Sequence, residues 1–457
     1  MLPYSNLFSL FLTRKGPSVK SVQELLRTIG EATSGTKDVL QTRLLAGVLR
    51  NKMPRPSEKG RQKETRILSI DMGIRNLAYC VASVKNSTMD RPIAEMHISD
   101  WSRLDLSEAF RKHSVSDAQE VVPEGSSTDD QAEGDLYTPE SLSRMAYWFL
   151  DRLLREAQPD IILIERQRWR SASSPSIQQW TLRVNSLEAI MWAVLTTLKS
   201  EGVANKPKFN GSIYAVDPKR VGHFWLDDVN PIQMAPDGKK KKASGSTAES
   251  EELAEEDDGS VESATGAKKL SRSKAEKKAK IHLLQSWLDP DSLSTTSFGK
   301  ARDATPEFHP RIDFSFSPGS AADYATRQAL LHANDRSKRT GAAKTDIKKV
   351  DDITDCFLQA AAWVAWDMNL KTMGPQIEEF KGALEERLGR KVHGSQLQLV
   401  EAVKELHAQD EKEVEKTETK KTKTPRARKA KSTGDEGVES AEEKTGKGKR
   451  RAKKKAA

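Results

Sequence analysis

The sequence predicts an α/β domain, a mixed sheet flanked by helices, with a small helical unit at its N-terminus and long polar segments that build no core. Three observations predict it. Residues 66–83 hold two apolar, β-branched runs separated by one Gly-containing turn. Another apolar run, 160–165, lies between stretches whose apolar residues recur at helical spacing. Residues 235–275 and the chain from about 409 onward are polar, low in complexity and without periodicity, and are expected to be disordered. With 36% hydrophobic and 31% charged residues the chain is more polar than an ordinary globular protein.

The chain opens MLPYSNLFSLFLTRKG, has no acid before Glu24 and carries Arg14, Lys15 and Lys20. An acid-poor, basic start suits mitochondrial import, and residues 1–17 are expected to be a leader. Its apolar run precedes its basic residues, the reverse of a secretory signal. Residues 18–51 form the helical unit. Ser21-Val-Gln-Glu24 is a capping box ahead of Leu25, Leu26 and Ile29. Gly30 stops that helix. After the turn Thr33-Ser-Gly-Thr-Lys37, Thr36 caps a second helix bearing Val39, Leu40, Leu44, Leu45 and Val48. Two short helices about a Ser-Gly-Thr-Lys turn resemble the SAP motif, a small DNA-binding module. That resemblance implies a DNA contact by Lys37; the plain alternative is a helical hairpin without such a role. Residues 52–65, polar and broken by Pro and Gly, read as a linker to a catalytic domain spanning 66–408.

Within that domain, Arg66–Arg75 and Asn76–Ser83 are strands joined at Gly73, and a third strand is expected around Ile93, Met96 and Ile98. Residues 114–135 read as a solvated loop. Thr138 caps a helix with Pro139 at its first position; Met145, Phe149, Leu153 and Leu154 keep helical spacing, and Pro159 ends it. Asp160–Glu165 is continuously apolar up to its final acid, the pattern of a strand buried on both faces. Ser174-Pro175 starts a long helix, and Ser212–Asp217 is a further strand stopped by Pro218. After the disordered insertion at 235–275, an amphipathic helix carries Ile281, Leu284 and Leu288. Residues 295–345 read as irregular, helices are expected at 351–368 and near 376–406, and 409–457 as a disordered basic tail.

Charge and cysteine usage narrow the function. A formal net charge of +9 and a pI near 9.2 suit a polyanionic partner. Two cysteines, Cys80 and Cys356, exclude a disulfide framework and a Cys-rich zinc site, and both are expected in the core. No run approaches the ~18 apolar residues of a membrane span, so no membrane partner is expected. Trp169, Trp180 and Trp192 are expected to pack in the core or on a dimer surface.

Three acidic features carry the chemistry. Asp71 sits near the end of the first strand, and Glu165 ends a later buried strand. Asp351-Asp352-Ile-Thr-Asp355 opens a late helix, where residues three or four apart share a face. Each has a bland reading, since acids form turns and favour helix N-termini. Brought together, they would repel one another and need cations. Oxygen ligands of this kind suit Mg²⁺, with Mn²⁺ as the alternative, in a two-metal site that activates water against a phosphodiester.

Ile67-Leu-Ser-Ile-Asp71-Met-Gly-Ile-Arg-Asn76-Leu-Ala, Ile162-Leu-Ile-Glu165-Arg-Gln-Arg168, Thr181-Leu-Arg-Val-Asn-Ser-Leu-Glu188 and Lys348-Lys-Val-Asp351-Asp-Ile-Thr-Asp355 together resemble the fungal mitochondrial Holliday-junction resolvases, relatives of bacterial RuvC. The resemblance implies an RNase H-like fold and a magnesium-dependent endonuclease that nicks four-way DNA junctions as a homodimer in mitochondria. No small-molecule substrate is implied. Asp71, Glu165, Asp351 and Asp355 would be catalytic and bind metal, with Asp352 as a further metal ligand. Gln167, Arg168 and Arg170, which follow Glu165, and Lys348 and Lys349 are expected to contact DNA. The alternatives are an RNase H-type or flap nuclease, and a non-catalytic DNA-binding scaffold.

Overall fold

The computed structural model describes residues 7–13, 15–54, 64–85, 93–117, 136–167, 179–201, 209–226, 272–288, 310–317, 321–331, 333, 350–392 and 396–421. Its strands are β1 (Thr65–Asp71), β2 (Leu77–Lys85), β3 (Ile93–Leu104), β4 (Ile161–Glu165), β5 (Ser212–Val216) and β6 (Arg311–Phe316). They form one sheet in the order β5-β4-β1-β2-β3-β6. β1, β2 and β3 are an antiparallel meander, whereas β4 pairs parallel with β1, β5 with β4, and β6 with β3. The helices are α1 (Val19–Thr28), α2 (Lys37–Val48), α3 (Leu106–Asp117), α4 (Pro139–Ala157), α5 (Gln179–Ser200), α6 (Pro218–Leu226), α7 (Arg272–Leu288), α8 (Ala321–Leu331), α9 (Val350–Leu388) and α10 (Gln396–Lys421). This is the predicted mixed α/β sheet flanked by helices. Among the described residues no helix is long and apolar enough to cross a membrane.

Strand parity divides the sheet into two cores. Leu68, Ile70, Ile162 and Ile164 face α4 and α5. Ile67, Ala78, Cys80, Ala82, Ile161 and Leu163 face α6, α7 and the first half of α9. Small residues on both sides, Ala78, Cys80 and Ala82 against Ala360, Ala361 and Ala362, allow α9 to lie close over the strands. Side-chain donors reach its buried carbonyls: Trp101 Nε1 to Ile353 at 2.9 Å, Ser69 Oγ to Cys356 at 2.8 Å, and Trp225 Nε1 to Leu358 at 3.1 Å. Both cysteines are buried and free, as expected.

A third core joins the chain's beginning to its end. Leu7, Phe8, Phe11, the apolar faces of α1 and α2, Leu370, Met373, Ile377, Phe380 and Leu384 of α9, and Leu399, Val403 and Leu406 of α10 pack together. It takes in residues on either side of the boundaries expected from sequence. Phe8 and Phe11, inside the stretch read as a leader, are 2% and 1% exposed. The helical unit at 18–51 shares its core with α9. Lys52 and Met53, read as linker, are buried. Trp363 Nε1 donates to the Lys52 carbonyl at 3.1 Å, and the Met53 amide donates to Asp367 Oδ1 at 3.0 Å. Gly30, at φ +70°, stops α1 as predicted; a Cβ there would meet Trp366 at 2.1 Å, so the left-handed turn is also a close packing contact.

Other differences have local causes. Ser18, rather than Ser21, caps α1, accepting the Ser21 amide at 3.1 Å. Thr36 precedes α2 without a side-chain cap bond. Thr138 caps α4 as expected. Residues 114–117 continue α3 instead of opening a loop. β6 and α8 lie where irregular chain was expected. α9 runs unbroken through Pro375. A proline inside a helix costs about 3 kcal/mol, which the apolar stripe on both sides of it offsets by filling two cores. Residues 1–407 form one compact unit and 408–457 another, of which 408–421 are described and are helical.

Candidate active site

Strand parity also decides where the acids point. Ile67, Ser69 and Asp71 alternate onto the face that α9 covers, as do Ile161, Leu163 and Glu165. β1 and β4 run parallel with Ile70 beside Ile164, and Asp71 and Glu165 are the next residues on each. Two acids from separate parts of the chain thus leave one edge of the sheet side by side. The first turns of α9 bring Asp352 and Asp355 to the same place. Asp71 is 8% exposed and hydrogen-bonds to Glu165. Burial, then Glu165, Asp355 and Asp352, push its carboxyl well above the usual carboxylate range. Burial also raises Asp355, with Lys280 opposing.

Asp351 stands beside Asp355, on which its charge acts. Its Oδ2 pairs with Lys277 Nζ at 2.6 Å, and Asp352 acts on Asp71. Lys280, one turn further along α7, pairs with Asp355 Oδ1 at 3.1 Å while only 10% exposed. Burial pulls the Lys280 ammonium down, but Asp355, Glu276 and Glu165 outweigh it and hold the ammonium above the ordinary lysine value. These two lysines were not singled out in the sequence, because the pattern of α7 shows only an amphipathic helix.

The donor set suits a hard divalent cation: buried carboxylate oxygens from three elements, in excess of the two lysines that face them. Among the described residues no three His, Cys, Asp or Glu side chains are gathered closely enough to hold an ion as they stand. Asp71 and Glu165 share a hydrogen bond instead.

Further residues order the site. Gln359, one turn after Asp355, donates to Ser69 Oγ at 3.0 Å and to the carbonyls of Ile70 and Leu163 at 3.4 Å, tying α9 to both acid-bearing strands. Glu188 Oε2 accepts the Gln167 amide at 3.1 Å and so holds the chain leaving β4. Gln167 also lines a cavity of about 230 Å³ beside the acids. Trp180 and Trp192 are partly buried against the α4–α5 core, as expected. Lys37 donates to the Lys15 carbonyl at 2.5 Å and lies on α2, part of the third core rather than of the acid site. Arg168, Trp169, Arg170, Lys348 and Lys349 lie outside the described residues.

Residues 67–373 match the family described as Mitochondrial resolvase Ydc2 / RNA splicing MRS1. The chain is 26% identical over 209 residues to the protein named Cruciform cutting endonuclease 1, mitochondrial, of Schizosaccharomyces pombe, covering 46% of this chain and 67% of that one. It is 23% identical over 324 residues to the Saccharomyces cerevisiae protein of the same name, covering 69% and 72%. The crystal structure of the yeast mitochondrial Holliday junction resolvase Ydc2 is similar over 79% of this chain and 99% of that one, at 20% identity and a TM-score of 0.41.

Proposed function

We propose, because this chain belongs to the mitochondrial resolvase Ydc2 / RNA splicing MRS1 family, that it is a structure-selective endonuclease of mitochondria that resolves four-way DNA junctions by divalent-metal-dependent phosphodiester hydrolysis. One observation carries the reading. The buried Asp71 carboxyl is hydrogen-bonded to Glu165 with Asp352 and Asp355 acting on it. A protein that only binds DNA or RNA gains nothing from burying mutually repelling acids, whereas a hydrolase needs them. All four lie within the residues that match the family.

Asp71, Glu165, Asp351 and Asp355 would hold the metal, with Asp352 as a further ligand and Mg²⁺ the ion best suited to them. When bound, the ions supply the Lewis acidity for attack by water and offset charge on the leaving 3′ oxygen. The protein's own groups do the rest. Lys277 and Lys280 bring positive charge to the edge of the cluster, where a scissile phosphate would lie. Gln359 holds α9 against both acid-bearing strands, and Glu188 fixes the path of Gln167. Arg168, Arg170, Lys348 and Lys349 remain proposed phosphate contacts by their place next to the acids in sequence. Paired nicks across a junction require two such sites, and hence a homodimer.

The test is cleavage of a labelled four-way junction in Mg²⁺, beside matched flap and RNA–DNA hybrid substrates, with Asp71→Asn as control. Cleavage of the junction alone, lost in the variant, supports the proposal. Cleavage of the hybrid or flap in preference would assign another substrate, and cleavage of nothing would leave a nucleic-acid-binding protein.

A further inference from the structure

The seam between the N-terminal helical unit and the sheet encloses positive charge that the fold does not fully offset. A cavity of about 70 Å³ lies there, between the turns that follow α1 and α2, the end of β5, α6 and α9. Among the described residues three cations line it, Arg50, Lys52 and Arg220. Glu31 stands among them, 3.8 Å from Arg50, 3.5 Å from Lys52 and 3.7 Å from Arg220. Charge-assisted bonds close to about 2.7–2.9 Å, so this carboxylate is shared among the three and closes on none of them. The other acid of the lining, Asp217, accepts the Lys219 amide on its Oδ1 at 2.9 Å. Lys52 is 5% exposed, with its ammonium 4.9 and 5.5 Å from the Trp363 and Trp366 rings. Burial pulls that ammonium below the ordinary lysine value, Glu31 opposes, and Arg50 and Arg220 pull it further down. Nε of Arg220 and Nε1 of Trp366 are buried donors with no acceptor among the described residues, and Trp366 is only 1% exposed. A buried donor without an acceptor is unfavourable unless a ligand supplies one.

We propose that this cavity binds one phosphate group, free or carried on a DNA backbone. A phosphate offers several acceptor oxygens at once, and its charge offsets the surplus that Glu31 leaves among the three cations. The cavity admits a group of a few atoms and is too small for a base. The Arg50 side chain is 52% exposed, so the site can be approached from solvent. Its place suits a backbone as well as a free ion. Asp217 follows Val216, which pairs with Glu165, so the cavity lies at the acid-bearing edge of the sheet. Trp366 stands three turns beyond Asp355 on α9, roughly 16 Å along the helix, a distance that a strand spans in a few nucleotides. Arg50 and Lys52 come from the helical unit and Arg220 from α6, whose Nη1 already donates to the Gly30 carbonyl at 3.2 Å. A phosphate held by all three would clamp the helical unit to the sheet.

The free group is tested by melting the full-length protein in EDTA, in sodium phosphate against sodium chloride at matched ionic strength. We expect a rise of roughly 2–4 °C in saturating phosphate, most of it lost in Arg50→Gln and in Arg220→Gln. Arg50 is the more exposed of the two, so its variant covers the case in which the other fails to fold. Phosphate also stabilises proteins by being excluded from their surface. That gain persists in both variants, so the difference from wild type is what the experiment reads. The backbone group is tested with four-way junctions that each carry one neutral methylphosphonate, moved stepwise away from the crossover, with binding measured in EDTA. We expect wild type to lose roughly tenfold in affinity at one position, and Arg220→Gln, which already lacks the contact, to lose nothing there. A signal in the second arm alone assigns the site to DNA, and a signal in the first alone assigns it to the free anion; either supports the proposal. If the variants match wild type in both arms, the three cations serve the fold alone and the proposal is overturned. The melting arm uses neither DNA nor metal, so its outcome is independent of the resolvase reading.

Discussion

The side-chain amide of Gln359 donates to the hydroxyl of Ser69 at 3.0 Å, and that hydroxyl in turn donates to the carbonyl of Cys356 at 2.8 Å. Gln359 follows Asp355 by one turn, and Ser69 precedes Asp71 by one strand repeat, so this buried chain of bonds sets the distance between two of the acids. Gln359→Leu keeps the volume and removes the donors. We expect a loss of about 1–2 kcal/mol of stability and a fall in single-turnover cleavage of about tenfold or more, with junction affinity unchanged. Equal falls in affinity and rate would show that Gln359 supports the fold alone.

Asp71→Asn should abolish cleavage by several orders of magnitude and leave junction binding intact. It should also stabilise the metal-free protein. Asp71 holds its proton more tightly folded than unfolded, because burial and the neighbouring acids raise its carboxyl above the ordinary value of 3.8. Between that value and the raised one, the folded state binds more protons, so metal-free stability falls as pH rises. The stabilising part is full below the unfolded value and gone once pH passes the folded one. Melting curves against pH in EDTA should show this decline, Mg²⁺ should reverse it at neutral pH, and the variant should lack the Asp71 share. A melting temperature that rose with pH over this range would contradict the burial of an acid cluster.

Lys280→Met removes the ammonium 3.1 Å from Asp355. Breaking one side of a buried pair leaves a charge uncompensated, at a loss of about 3–5 kcal/mol, so the metal-free variant should melt well below wild type. In Mg²⁺ the gap should narrow, because the cation replaces the missing charge. Calorimetric titration with Ca²⁺, which avoids turnover, should show tighter binding to the variant. Weaker binding would mean that the lysine orders the carboxylates rather than competing for them.

The positions of Asp71 and Glu165 were legible in sequence because a period of two in a strand carries directly into which face a side chain takes. The ion pair of Asp351 was not. It stands beside Asp352 at the start of α9, and its partner Lys277 comes from a helix some 75 residues earlier. β6 left a readable trace, Ile312-Asp-Phe314-Ser-Phe316 alternating as a strand should, but its partner β3 lies over 200 residues away and nothing local marks the pairing. Phe8 and Phe11, within the stretch expected to be a leader, pack in the third core. An apolar, acid-poor start looks the same whether it addresses an organelle or fills a core.

Phe11→Ala tests that third core. The ring lies 6.5 Å from Phe8 and 6.1 Å from Phe380, and the adjoining Leu12 carbonyl accepts from Arg387. Deleting a buried phenylalanine side chain costs about 3–5 kcal/mol, which should lower the melting temperature by roughly 10 °C. A shift under ~2 °C would show that the opening residues are not part of the folded protein.

The basic periphery should govern affinity and leave selectivity alone. α1 and α2 are built into the third core, so deleting them would confuse charge with stability; Lys37→Gln and removal of 422–457, rich in Lys and Arg, test charge by itself. Lysines and arginines that meet only phosphates release counterions from any DNA alike. Removing them should therefore weaken junction and linear duplex by the same factor and flatten the dependence of both on salt. The ratio of junction to duplex affinity should not move if the proposed homodimer of catalytic domains is what distinguishes a crossover from a duplex. The measurement is a salt titration of both affinities with intact and altered protein. If the altered protein kept duplex affinity and lost its junction preference, recognition of structure would lie in the periphery rather than at the acid site.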